Sequence, residues 1–320
     1  MKTLALFCSA ICLAISTSAF SQQYPNRPVR MVVGFTPGGG ADTIARIIGS
    51  KFSERTKQTL IIDNRPGAGG MVGTAIIAKS APDGYNLLFA NASFVTNPAL
   101  HTKTVTYDPR EFAPIFRLGS SQYLLTANSS LPASSVKELI ALAKSRPGKL
   151  LSASAGLGGP GHLSLELFKM MTGIDITHVP YKGTAPVITS LLGNETQMVF
   201  GNAGAMAPLV RSGKLKGLAV TGAARSPAAP EFPTVAEAGV PGFEVSSWYG
   251  IFSPKGLPAP IINFIHKEVE AILELPDARE LLAKAGLEIA GMSPDRFSTY
   301  VQSEIVKWGK VVRTAGIRLE

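Results

Sequence analysis

Apolar and polar positions alternate in two rhythms along this chain. Val29, Met31–Val33 and Phe35 make a short apolar run of strand length, which breaks at Pro37 into three glycines, Gly38–Gly40. From Asp42 onward the apolar positions are Ile44, Ile47, Ile48 and Phe52, one face of a helix over about 42–56. Thr59–Asn64 is a second strand, ending in the glycine turn Arg65–Gly70, and a helix follows with Val72, Ile76 and Ile77. Tyr85–Ala90 is a third strand running into Asn91-Ala92-Ser93. This β-α-β-α-β order predicts a parallel sheet with helices on its faces.

The alternation breaks at 111–127, where Phe112–Leu118 and Gln122–Ala127 are extended with no helix between them. A Ser-capped helix to about Lys144 leads into a second series. Leu150–Ala155, Asp175–Val179, Thr196–Phe200 and Leu215–Thr221 read as strands, with helices after the first two, over 163–171 and 185–192. Residues 222–246 are rich in Pro, Ala and Gly and read as an irregular return path. Trp248–Phe252 is a strand back in the first series, and helices follow over about 258–273, 276–285 and 294–314. The fold class expected is α/β: two lobes, each a mostly parallel sheet flanked by helices, joined by crossing strands.

The first residues stand apart from this pattern. Lys2, the apolar Leu4–Ile15 and the small residues at Thr17–Ala19 form a signal peptide over 1–21, with cleavage after Ala19 or after Ser21 both fitting. Phe7 and Ile11 precede the two cysteines where a lipoprotein signal needs a small residue, so no lipid anchor is expected. Cys8 and Cys12 leave with the signal, so the mature chain carries no disulfide, thiol nucleophile or thiolate metal site. About 300 mature residues exceed one ordinary compact core, and the expected division is 22–122 with 230–320 as lobe 1 and 123–229 as lobe 2. The net charge is +9, or +8 without Lys2 (30 basic minus 22 acidic residues). No Lys/Arg run exceeds two, which favours solubility and weak steering of anions over nucleic-acid binding.

Chemistry is expected where parallel strands end, because ligands of open α/β sheets sit beyond the strands' carboxyl ends. Five such turns are small or polar: 36–42, 91–93, 154–162, 181–184 and 201–204. If the lobes face each other, all five line one cleft. Glycine turns leave main-chain N–H groups uncovered at helix starts, where the macrodipole is positive, and so suit an anion. The candidate ligand-binding residues are Phe35, Thr36, Gly38, Gly39, Asp42, Asn91, Ser93, Ser154, Gly156, Gly158, Gly159, His162, Tyr181, Lys182, Gly183, Thr184 and Asn202. Asp42 fits equally as a helix N-cap, or as a partner for a ligand ammonium or hydroxyl. His162 fits a ligand donor, a cap or a packing role, and His178 reads as a core residue inside a strand.

Several chemistries find little support. Gly156, Gly158 and Gly161 match G-x-G-x-x-G, but Pro160 interrupts the motif and no acidic residue ends the next strand, so no nucleotide cofactor is expected. The four histidines fit no metal spacing, and neither HExxH nor G-x-S-x-G occurs. No base is patterned beside Ser93, Ser154 or Thr184, which argues against an enzyme.

Taken together, these stretches resemble a known family. Tyr24–Pro28, Gly34–Asp42, Asn64–Gly70, Pro82–Tyr85, Val179–Gly183 and Phe232–Gly239 are similar, in the same order, to the tripartite tricarboxylate transporter solute receptors, the TctC-like or Bug family. The resemblance covers about 24–318. It implies a type II-like periplasmic binding protein that closes on a small carboxylate: a di- or tricarboxylate, an acidic amino acid or an aromatic acid. In this family the acid is held largely by main-chain amides and water, without an obligatory arginine. The implied partner is a membrane permease, with a sensor kinase as the alternative and a hydrolase on the same fold as a more distant one. A periplasmic monomer without cofactor is expected. Gly193-Asn194-Glu195-Thr196-Gln197 stands where many relatives carry a Gly-Gln-Val-Asp-like stretch, and Gly201–Gly204 is smaller than usual, so ligand identity does not carry over.

Overall fold

The structure, a computed structural model, describes residues 24–320 except 182, 183, 228, 318 and 320. The signal-peptide segment, Lys182 and Gly183 therefore lie outside the described residues.

The first series is β1 (Val29–Val33), α1 (Gly40–Thr56), β2 (Leu60–Asn64), α2 (Met71–Ala78), β3 (Asn86–Asn91) and α3 (Ser93–Leu100). β4 (Phe112–Asn128) leads to α4 (Val136–Ser145), β5 (Leu151–Ser154), α5 (Pro160–Thr172), β6 (Thr177–Pro180), α6 (Thr184–Leu192), β7 (Met198–Asn202), α7 (Ala203–Arg211) and β8 (Leu215–Val220). The chain returns through β9 (Ser246–Pro254) and finishes with α8 (Ala259–Leu273), α9 (Pro276–Lys284), β10 (Glu288–Met292) and α10 (Pro294–Ala315).

The two extended segments at 112–127 are one strand, and that strand joins the lobes. Its first half pairs antiparallel with β9, from Phe112↔Pro254 to Gln122↔Ser246. Its second half pairs with β7 (Tyr123↔Asn202) and with β8 (Leu124↔Val220). Parallel β2-β1-β3 extends the first sheet beyond β9, and parallel β7-β5-β6 extends the second beyond β4. β10, which the sequence pattern did not announce, pairs with Arg117–Ser120. A Cβ at Gly119 would collide with the Glu288 carbonyl, so this strand pair needs glycine there.

Residues 229–245 stay with the second sheet. Val220 donates to Pro233 and accepts from Val235, and the Phe243 ring packs against Phe168 and Phe200. The chain crosses back only at Val245, whose N–H donates to the Thr221 carbonyl, and Ser246. α10 packs on α3, β4 and α5, so the last helix touches both lobes. Its buried face (Phe297, Val301, Trp308, Val311, Val312) keeps helical spacing.

Two helices begin where only polar strand ends are legible. α3 and α7 each carry an internal proline, Pro98 and Pro208, which hides the helical pattern. Pro98 removes the N–H that would bond the Phe94 carbonyl; the Tyr107 hydroxyl bonds that carbonyl at 3.0 Å instead.

Candidate functional site

The lobes meet around a cavity of about 420 Å³. Lobe 1 contributes Phe35 after β1 and Asn91–Ser93 between β3 and α3. Lobe 2 contributes Gly158, Gly159 and Pro160 at the start of α5. The crossing strand β9 supplies Ser246 and Ser247, and Trp308 and Leu319 close one side.

The lobe-2 turn is built by a chain of side-chain contacts. Gly158 adopts φ +71°, and its N–H donates to His162 Nδ1 at 2.9 Å. A Cβ at Gly158 would also run into Leu319. Gly159, extended, is the N-cap of α5 and no side chain caps it. The helix opens on Pro160, which has no N–H, and the Gly158 and Gly159 N–H groups bond within the turn, to His162 Nδ1 and to the Gly156 carbonyl; Gly158, Gly159 and Pro160 edge the cavity with the positive end of the helix behind them. Beneath the turn, the His162 and His178 rings stack at 3.7 Å and 8°. His178 Nε2 lies 2.7 Å from Ser154 Oγ, which in turn bonds the Gly156 carbonyl at 2.9 Å. Burial, with the charges of His178 and Lys169, pushes the His162 pKa down to about 4. Burial and Lys169 push His178 down to about 4 as well. Both rings are therefore neutral at pH 7, and His162 carries its proton on Nε2, since Nδ1 accepts from Gly158.

The lobe-1 turn has the same backbone and a different closing group. Gly38 adopts φ +81°, and its N–H donates to Asp42 Oδ2 at 2.9 Å. Arg46 Nε donates to the same oxygen and Asn64 Nδ2 to Oδ1, each at 2.9 Å. Burial works to raise the Asp42 pKa, but the bonds from Arg46, Gly38 and Asn64 outweigh it and hold the carboxyl below its ordinary range. With its carboxylate fully engaged and 2% of its surface exposed, Asp42 braces the turn.

The expectation of five turns around one cleft needs correction. Phe35, Asn91, Ser93, Gly158 and Gly159 do line the shared cavity. Gly38 and Asp42 instead line an outer groove with Arg46, Ser50, Lys51 and Leu281. Asn202 lines a second inter-lobe cavity of about 630 Å³, with Gln122 on β4 and Arg279 and Glu288 from lobe 1. Ser154 and His162 are buried below the Gly156–Gly159 turn, Thr36 and Thr184 are exposed, and Tyr181 is half-buried with its N–H on the Ser154 carbonyl.

Ser154 does have a base beside it, contrary to the sequence reading. His178 stands 24 residues away in sequence, and the parallel register of β5 with β6 brings the two together. The arrangement is that of a brace: Ser154 is 2% exposed and its hydroxyl is already bonded to Gly156. Ser246, Ser247, Leu157 and Trp308 were missed as cavity residues. The small Ser246-Ser247 pair directly before a predicted strand was the one local signal available.

Comparison with known proteins agrees with this architecture. The family model "Tripartite tricarboxylate transporter family receptor" matches residues 44–317. Protein BugT of Bordetella pertussis is 34% identical over 100% of this chain and 98% of its own length. An R. palustris protein solved with adipate is 40% identical, covers 92% of this chain and 100% of its own, and superposes with a TM-score of 0.74. A Polaromonas TctC solute-binding protein solved without ligand is 26% identical, covers 91% and 99%, and superposes at 0.84. MatC from Rhodopseudomonas palustris, with bound malate, is 31% identical, covers 90% and 100%, and superposes at 0.69. Receptors of this kind are periplasmic, and no helix among the described residues is long and apolar enough to cross a membrane. The chain belongs to the tripartite tricarboxylate transporter family of receptors, the TctC and Bug proteins.

Proposed function

We propose that the chain is an exported receptor that closes on a small organic carboxylate and hands it to a membrane permease. The observation that carries this reading is the cavity between the lobes, edged on one side by the Gly158–Gly159 turn at the start of α5. That helix start brings a positive dipole end with no side-chain cap, braced by two neutral imidazoles. Asn91 and Ser93 face it from lobe 1. The relatives solved with adipate and malate support a carboxylate as the ligand.

Closure takes place about the strand crossings, Leu118–Gln122 and Val245–Ser247, where the two lobes share backbone. The higher superposition score for the ligand-free relative than for the adipate-bound one, against the order of sequence identity, supports an open arrangement. Residues 1–21 direct export and are removed, and the mature protein is a free periplasmic monomer without a lipid anchor. Its work is binding, with no catalytic step.

Titration of the purified mature protein with a panel of organic acids tests this. A cognate acid at a thousand times its Kd adds about 4 kcal/mol of stability. A panel that produces neither a thermal shift nor calorimetric heat removes the receptor reading.

A further inference from the structure

Resting on that carboxylate-receptor reading, we propose that the acid this cleft accepts carries an apolar body, an aromatic ring or at least four contiguous methylene-like carbons. It is not a hydroxylated or tricarboxylic acid. Among the described residues that line the cavity there is no Lys, Arg, Asp or Glu. Its walls are Phe35, Leu100, Leu157, Leu163, Trp308 and Leu319, drawn from five separate parts of the chain.

Leu157 is the sharpest of these observations. It sits at the tip of the glycine turn, between Gly156 and Gly158, and is 50% exposed. A leucine held out in solvent on an otherwise bare turn contributes nothing to the core of its own lobe. Unlike the other exposed large apolar side chains it lines the cavity, where an apolar group on the ligand can cover it.

The polar side chains on the lining are Asn91, Ser93, Thr96, Asn97, His101, Ser246 and Ser247. Asn91 and Ser93 belong to the lobe-1 turn, and the Gly158–Gly159 turn brings the positive end of α5. Ser246 adds a buried hydroxyl beside the Tyr300 hydroxyl. One carboxylate, or one at each end of an apolar spacer, can be met by this set. A citrate would bring three carboxylates and a hydroxyl into a space that, among the described residues, no Lys or Arg lines. Each buried charge left unpaired weakens binding steeply. An apolar body gains instead, roughly fourfold in affinity for each methylene removed from water.

Calorimetric titration with benzoate, hexanoate and adipate against malate and citrate decides the matter. The expected result is that at least one of the first three binds about tenfold or more tighter than both of the polar acids. Leu157→Asn, at a half-exposed position whose folding a thermal melt checks, should weaken the apolar acids about tenfold and leave malate within about twofold. Malate or citrate binding as tightly as the apolar acids overturns the inference while the receptor reading stands. So does a Leu157→Asn protein that has lost no affinity for the apolar acids, or has lost all acids equally. Silence from every acid in both groups defeats the receptor reading itself, and the inference with it.

Discussion

The strand-to-helix turns at 36–42 and 156–162 are built alike and charged differently. In both, one glycine is left-handed and the next is an extended N-cap: Gly38 at φ +81° with Gly39 at −76°, Gly158 at +71° with Gly159 at −69°. In both, the left-handed glycine gives its N–H to the side chain four residues on, at 2.9 Å. In lobe 1 that side chain is a carboxylate, tied to Arg46 and Asn64. In lobe 2 it is a neutral imidazole stacked on a second one. Asp42 thus spends the dipole of α1 on itself, whereas His162 satisfies the same amide and leaves the start of α5 positive. The shared backbone is a device for making a tight helix start, and the closing residue decides whether an anion is welcome there.

The largest expected effect comes from pH. Both histidines titrate near 4 in the folded protein and near 6.5 in the unfolded chain. Between those values the unfolded chain binds protons that the folded one refuses. Their contribution is therefore complete above pH 6.5 and is lost as pH falls toward 4. For buried His162 the full window is worth at most about 3 kcal/mol, and the step from pH 6.5 to 5 about 2 kcal/mol. Urea melts at the two pH values should show that fall, and His162→Asn, which keeps an acceptor for Gly158, should reduce it to the part that His178 carries. Equal slopes in both proteins would show that His162 does not carry the effect.

His162→Asp next turns the second turn into a copy of the first, without an Arg46 to balance it. A carboxylate roughly 7 Å from a bound anion repels it by about 2 kcal/mol at an effective dielectric of about 20. Affinity should fall about 30-fold, and His162→Asn should keep most of it. Calorimetry on the two variants separates charge from packing. If both lose affinity alike, the contrast drawn between the lobes is wrong.

Much of this could be read along the chain, and the unread part has a common cause. The apolar run at Met31–Val33 followed by three glycines announces β1, its turn and α1, because each signal lies within a few residues of the next. The turn at Gly156–Gly161 is equally local. What closes each turn is not. Asn64 reaches Asp42 from the neighbouring strand, and His178 reaches Ser154 through the β5–β6 register. These partners capture the very groups that look free in the sequence. The cavity's apolar side depends on Trp308 and Leu319, about 150 residues beyond the turn they face, and only the packing of α10 on both lobes brings them there. Helices α3 and α7 were hidden for a local reason, their internal prolines.

The smallest effect is the most discriminating, because its sign is in question. Asp42→Asn keeps an acceptor for the Gly38 N–H and removes the charge. The partner it releases, Arg46, is 52% exposed, so solvent screens the ion pair and it adds little. With one charge-assisted bond from Gly38 weakened, the melting curve should show a loss of about 1–2 kcal/mol at pH 7. That loss should shrink in acid, because a carboxyl held below its ordinary range stabilises above that range and stops doing so once protonated. Affinity for a simple carboxylate should stay level or rise, by a factor of about 2–5, as the start of α1 recovers its positive end. A tenfold loss would carry the opposite meaning. Asp42 would then hold an ammonium or hydroxyl of the ligand in spite of its three internal partners, and lobe 1 would supply a specific contact where the geometry shows a brace.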